Sequence, residues 1–572
     1  MSATDTEAAG GTLDAASFNV ITNGLHAVAR EMGEKLVRSA YSTIIREAAD
    51  ASTSLMDRDG GIVAQAHMCP IHMNSFGLVW RAFAERYDVT RLAPGEGLMT
   101  NDPYRGGQHL NDFVLFTPIH HDDELVGFSA SIGHHIDVGG GAAGPNTSAT
   151  EIFQEGLRMP LLRFDVDRDL GPGGWLADMI EANVRVPDLV IGDVRAQIAA
   201  NRTGAARFLE LVERFGRERV LLAAGELQAY SERLARSVVE QIADGVYEAT
   251  DFVDDNGFSD EPLPVRVRIT VAGSDLIVDL EGSAPQGKGI VNSPLTATRS
   301  AVLGALALLL GGGKIPVNDG LFRPITVKVP YGSFLNPDQP VAVRARNSAC
   351  NRVYNAVMRA MAEAVPGRVI TSGHDTTNAI GLGHLGADRY RVYMECVGGG
   401  WGASQTADGM DVVDCPLANC SNVPVESLEI DHPYMRIEEY AVRSDSAGAG
   451  RTRGGYGARR VYRILEDEVT FNVYSDRHRF APWGIFGGRD AAPSRFTIER
   501  GDELIELPSK ANVVLRRGDR LVIEIAGGGG FGDPRERDRE LVRADVENGF
   551  LSAAEAERAY GWTAAADAPG AV

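Results

Sequence analysis

NDPYRGGQHLNDFVLFTPIHHDDELVGFSASIGHHIDVGGG, residues 101–141, holds five of the chain's twelve histidines (His109, His120, His121, His134, His135) and a dense set of aspartates. Its middle reads as a β-hairpin. Residues 113–119 and 125–132 are β-prone runs, and His120-His121-Asp122-Asp123 is a polar turn between them. That turn sets Ile119 opposite Glu124 and His109 opposite His134. Directly opposed Cβ atoms lie roughly 4.5–5.5 Å apart, close enough to share a metal ion. Side chains two apart share a face, which puts His109 with Phe113, Leu115 and Ile119, and His134 with Val126, Phe128, Ala130 and Ile132. His135 then points the other way. Asp112 joins the histidines only if GGQHLND is still turning, which Gly106 and Gly107 allow. Two imidazoles and a carboxylate suit zinc, iron or manganese. The same pattern also fits hydrogen-bonded core histidines beside a glycine-rich turn.

Outward from this stretch, composition sets the bounds. A chain of 572 residues is long enough for roughly three or four domains. A net charge of −22 argues against nucleic acid and anionic membrane surfaces as partners. Residues 1–12 are polar and acidic, unlike a secretory leader, and the apolar run 301–310 is too short for a membrane span. The expected location is the cytoplasm. Cys69, Cys350, Cys396, Cys415 and Cys420 are scattered and lack CxxC spacing, which predicts neither a disulfide framework nor a thiolate zinc site.

The fold class expected is α+β: several domains with mixed sheets, a helical middle and a β-rich C-terminal region. Residues 1–12 read as a disordered tail and 13–180 as a metal-site domain around the central hairpin. A helical region (181–245), an α+β domain (246–372), a β-rich glycine-loop region (373–535) and a C-terminal helical hairpin and tail (536–572) follow. Apolar spacing predicts one helix over 14–49, then a hairpin turning at Asp57-Arg58-Asp59-Gly60-Gly61. Asp50 falls at that junction, either aimed into a site or as a solvated acid beside the helix end. His67 and His72, around Cys69-Pro70 and before a helix over 75–87, read as ligands or, the favoured reading, as loop packing. Gly139 and Gly140 open a long Gly/Ser/Thr loop whose backbone can approach a ligand closely. Glu151, Glu155 and Arg158 follow at helical spacing, either contacting substrate or forming a solvated face. Helices are expected over 193–200, 203–215 and 217–242. No GxxxxGK[ST] loop for ATP phosphates follows any strand.

NDPYRGGQHLNDF, GHHIDVGG, ATEIFQEGLRMP, GDVRAQIAANRTG, DSAGAGRTRGGYG and GGGGFGDPRERD, in this order, resemble the hydantoinase B/oxoprolinase family over roughly residues 14–562. The resemblance implies a B-type subunit that works with a separate A-type, ATP-binding subunit on a small cyclic amide such as a hydantoin or lactam. It implies a divalent ion (zinc, manganese or iron) on His109, Asp112 and His134, with His135 the less favoured alternative to His134. It also places an aspartate at Asp50. In the implied hydrolysis ATP activates the ring amide on the partner, the ion activates a water, and Asp50 or Asp137 is the general base. Gly139, Gly140 and Glu155 are the implied substrate contacts. The resemblance equally covers subunits of ATP-dependent ketone carboxylases of the acetone or acetophenone type. A non-catalytic scaffold for the A-type subunit is the third reading.

Overall fold

The structure is a computed structural model and describes residues 13–418 and 420–564; the tail expected at residues 1–12 lies outside them. The first helix, α1 (Ala15–Ser39), starts where Asp14 accepts the backbone N–H of Ser17 at 2.9 Å. It does not run to residue 49. Ala40 is extended, and Asp193 Oδ1 accepts the N–H groups of both Tyr41 and Ser42, at 2.7 and 3.1 Å, before the short α2 (Thr43–Arg46). A carboxylate 151 residues away thus breaks a helix whose apolar spacing continues.

A six-stranded sheet follows, in the order β2-β1-β5-β4-β3-β6. Its strands are β1 (Ala51–Asp57), β2 (Ile62–Gln65), β3 (Glu96–Thr100), β4 (Asp112–His121), β5 (Glu124–His134) and β6 (Leu162–Asp165). The α+β class holds, and the central hairpin is β4–β5, but the register and turn differ from expectation. The turn is the two residues Asp122-Asp123, at φ 51° and 61°. Positive φ at both positions marks the turn whose twist matches paired strands. Both strands therefore run further than the β-prone runs, and one irregularity falls between Ile119 and His120. Asp112, not His109, lies opposite His134, and Val114 lies opposite Ile132.

One face of this sheet packs Val114, Phe116, Phe128, Ala130 and Ile132 against Phe76, Val79 and Phe83 of α3 (Ser75–Arg86). His134 is on this face, as expected. Phe113 and Leu115 point to the opposite face, where α6 (Pro187–Phe215) crosses and Gln197 and Asn201 donate to their carbonyls. Short helices α4 (Val166–Asp169) and α5 (Trp175–Asn183) precede α6, and α7 (Arg217–Val239) follows it. The two helices expected over 193–215 are one continuous α6, opened by Pro187 where no N–H is needed and closed by Gly216 at φ 87°.

A second sheet, β10-β9-β8-β7, comprises β7 (Gly245–Val253), β8 (Leu263–Ala272), β9 (Asp275–Asp279) and β10 (Ile325–Lys328). The helices α8 (Leu295–Gly311), α9 (Asp319–Phe322) and α10 (Arg346–Ala360) share the largest apolar core with it. The last third builds two further sheets. One is β12-β11-β15-β18, from β11 (Ala379–Leu385), β12 (Tyr390–Cys396), β15 (Val469–Tyr474) and β18 (Lys510–Leu515). The other is β13-β14-β19-β16-β17, from β13 (Met435–Arg443), β14 (Gly457–Ile464), β16 (Arg495–Arg500), β17 (Glu503–Leu507) and β19 (Arg520–Glu524). Helix α11 (Val425–Asp431) sits before β13, and α12 (Arg539–Glu547) with α13 (Ala553–Tyr560) closes the described chain. Among the described residues, no helix is long and apolar enough to cross a membrane.

Candidate metal centre

Asp112 begins β4 and His134 ends β5, as directly paired residues. His109 reaches them from the turn before β4, where Asp112 N–H donates to His109 O at 3.1 Å and Asn101 Nδ2 donates to Leu110 O at 2.6 Å. The expected roles are exchanged: Asp112 stands in the strand and His109 is the residue that turns in. The three side chains offer ligand atoms within 4.8 Å of one another. His109 and His134 rings lie 5.0 Å apart, and His109 Nε2 is 3.2 Å from Asp112 Oδ2. All three residues are buried.

His135 leaves this group. Its Nε2 meets Gln197 at 3.1 Å and its ring stacks against Phe113 at 3.9 Å. Asp50 arrives because His134 N–H donates to Asp50 O at 3.1 Å, tying the start of β1 to the end of β5. Its carboxylate groups with Cys69 and His72, again with ligand atoms within 4.8 Å of one another. His72 joins the two clusters. Its Nδ1 meets Ser52 Oγ at 3.1 Å, and its Nε2 faces Asp112 Oδ1 at 3.7 Å. His72 therefore lies between the two clusters, where it could serve as a ligand. Spacing alone carries no signal for it, because β1 and the chain after β2 must first pair with the hairpin.

Three of the cysteines, scattered in sequence, come together in space. Cys69 and Cys396 both interact with Cys420, in the surroundings of Asp50 and Asp414. All five cysteines are free thiols.

Electrostatics sort the protonation states. Burial, reinforced by the Arg346 guanidinium, pushes the His109 imidazole down to about 3. Burial likewise holds His134 well below its ordinary value. Both rings are neutral at pH 7, the form that binds a metal. Burial opposes ionisation of Asp112, but His109 and Arg346 overcome it and hold the carboxyl well below the usual range. Arg346 Nη2 donates to Asp112 Oδ2 at 2.8 Å, and Gln108 Oε1 fixes Arg346 Nε at 3.2 Å. Burial raises Asp50 to about 6, with His72 pulling it down and Asp112 pushing it up.

The donor set fits a divalent ion. His109 Nδ1 and Nε2, His134 Nδ1, His72 Nε2 and Asp112 Oδ1 are buried without a hydrogen bond of acceptable geometry. Buried polar atoms are normally paired, and such a cluster of exceptions marks a place for a ligand. Two neutral imidazoles and an ionised carboxylate are the chemistry of zinc, manganese or iron sites.

The other expected contacts have partners within the chain. Both Asp137 oxygens are engaged by Arg185, one with its backbone N–H and one with its Nη1 at 3.0 Å. Gly139 and Gly140 have φ of 78° and 77° and pack against the chain itself: a Cβ would meet Asn183 O at 2.1 Å and Glu155 C at 2.7 Å respectively. Their lack of a side chain is explained without a substrate. Glu151, Glu155 and Arg158 do not share a helix face; only Ile152–Gln154 is helical, as a single tight turn. Glu155 is buried, and its Oε1 accepts the N–H groups of Val343 and Arg344 at 2.9 and 2.7 Å. Burial raises its carboxyl to about 8 against the pull of those bonds. It thereby positions the segment that leads into α10.

A family model described as hydantoinase B/oxoprolinase matches residues 14–534. The B-type subunit of a putative D-/L-hydantoinase from Pseudomonas sp. (strain NS671) is 34% identical, covering 96% of this chain and 95% of its own. The crystal structure of an ATP-dependent caprolactamase from Pseudomonas jessenii superposes with a TM-score of 0.89 at 27% identity, over 97% of both chains. An acetone carboxylase in its nucleotide-free form gives a TM-score of 0.85 at 20% identity, over 96% of this chain and 79% of that one, a likeness of fold.

Proposed function

The chain belongs to the hydantoinase B/oxoprolinase family, and on that premise we propose that it is the B-type subunit of an ATP-dependent hydantoinase or lactamase. It opens a small cyclic amide after an A-type subunit has used ATP to activate the amide. The observation that carries this reading is the buried His109–Asp112–His134 group, whose ligand atoms converge within 4.8 Å and mostly lack hydrogen bonds. The names of the similar hydantoinase and caprolactamase support the substrate class. The lack of a GxxxxGK[ST] loop agrees with ATP chemistry on a partner.

A divalent ion held by His109, Asp112 and His134 would supply Lewis acidity, polarising the amide oxygen and acidifying water. The chain's own groups do the rest. Arg346 and Gln108 orient Asp112, so that one carboxylate oxygen stays fixed towards His109. Ser52 fixes the His72 ring with Nε2 towards Asp112. Asp50 is the general base. Its carboxylate groups with His72, whose Nε2 faces Asp112, and its carboxyl, near 6, is a base matched to neutral pH. Asp137 is committed to Arg185, which leaves Asp50 to receive the proton. Burial of the group excludes bulk water and strengthens each of these interactions.

The test is co-expression with the A-type subunit and an assay of ATP-dependent turnover on hydantoins, lactams and ketones. Ring opening that disappears in His109→Ala supports the reading. A His109→Ala complex that keeps both its metal and its ring opening rejects the site, and turnover of ketones alone assigns the chain to the carboxylases.

A further inference from the structure

The buried cations beside the candidate metal centre are only half matched: Arg346 pairs with Asp112, while among the described residues no carboxylate pairs with Arg344. Arg344 is 4% exposed, and its hydrogen-bonding partner is the sulfur of Met394, at 3.4 Å. Its Nε is buried without a partner, and among the described residues no carboxylate forms an ion pair with it. Arg346 is 2% exposed and spends Nε on Gln108 and Nη2 on Asp112, but its Nη1 is also buried and unpartnered. Arg346 touches the centre directly through Asp112, and Arg344 lies two residues earlier on the same buried segment. Arg346 is also the first residue of the 15-residue α10, so the positive end of that helix dipole adds to their field.

A buried cation without a counter-ion is costly, and the unused N–H groups add to that cost. Asp112 relieves it for Arg346 but not for Arg344. Glu155 packs against this segment, and its Oε1 is taken by the backbone of Val343 and Arg344. Glu155 locks the two arginines in place and does not neutralise them by contact. A ligand anion relieves the cost, and guanidinium forks at a helix N-terminus are the geometry that binds oxyanions.

We propose that Arg344, Arg346 and the start of α10 form an oxyanion-binding subsite next to the His109–Asp112–His134 group. It takes the negatively charged oxygens of the incoming ligand: a phosphoryl group placed on the amide oxygen, or a carboxylate carried by the ring. The subsite stands on the geometry, while the origin of the anion rests on the function proposed above.

The test is calorimetric titration of the full chain, with and without bound metal, using inorganic phosphate in one arm and acetate in the other. Metal content is measured in parallel. The native chain stripped of metal binds one or both anions, and Arg344→Gln weakens that binding at least tenfold while leaving metal content unchanged. Phosphate preferred over acetate points to a phosphoryl group, and the reverse to a carboxylate. The ligand-free Arg344→Gln chain melts above the native chain, since it lacks an unmatched buried charge; a residue with a purely structural role would lower the melting temperature. Arg344→Lys keeps the charge and retains part of the binding. No binding of either anion to the native chain, or equal binding by Arg344→Gln, overturns the subsite. Intact anion binding in a chain that takes up no metal rejects the proposed hydrolase centre and leaves the subsite standing.

Discussion

The candidate metal centre and the charged shell around it are built in opposite ways. His109, Asp112 and His134 belong to one hairpin and the turn that leads into it, so neighbouring stretches of sequence bring them together. Asp50 comes from just before β1, Cys69 and His72 from the chain after β2, and Arg344 and Arg346 from the segment that opens α10. The hairpin fixes its group by strand pairing. The shell is fixed by long-range bonds, such as His134 N–H to Asp50 O and Arg346 to Asp112. On the proposed function, the hairpin would hold the ion and the shell would set what the ion can do.

The sharpest way to break that division is Asp112→Asn. It removes a ligand and leaves Arg346 buried against a neutral amide. Breaking one side of a buried ion pair costs about 3–5 kcal/mol. The variant is expected to lose its ion and that much stability, measured by metal analysis and urea unfolding. Asp50→Asn probes the shell. Turnover should fall by about 10²–10⁴-fold, the usual contribution of a general base, with ion content unchanged. An ion lost along with turnover would move Asp50 into the ligand set.

How much of this was legible in the sequence follows from the same contrast. The hairpin could be read because period-two alternation and turn chemistry are local. The pair His109 and His134 was found, but through a register that the chain does not use. Asp122 and Asp123 both take positive φ, which shortens the turn to two residues and slides Asp112 opposite His134. His109 still meets His134 because the backbone turns at residues 109–112. The place of His72, Arg344 and Arg346 beside the hairpin was invisible, since they reach it only after distant elements pack. The break between α1 and α2 was hidden for the same reason: its cause is Asp193, in α6.

Two smaller effects sharpen the comparison. The Glu155 carboxyl stands at about 8 in the folded chain against an ordinary 4.5. Between those values the folded state holds more protons than the unfolded one, so stability falls as pH rises through the window. Glu155→Gln removes that slope. From about pH 5 to about pH 8, its stability relative to the native chain should improve by about 1–3 kcal/mol, read by denaturation at each pH. In the hairpin, replacing Asp122-Asp123 by Asn-Gly suits both positive-φ positions and should add about 0.5–1 kcal/mol to stability. Ion content and turnover should not change, because the turn lies at the far end of the hairpin from the centre.

The claim on which the rest depends is that this hairpin holds an ion through His134 and not through its neighbour. Metal analysis by mass spectrometry of the purified native chain, His134→Ala and His135→Ala tests it directly. The native chain and His135→Ala should each carry about one divalent ion, as a three-residue site does, and His134→Ala should carry almost none. An ion retained in His134→Ala, or lost in His135→Ala, would contradict the account.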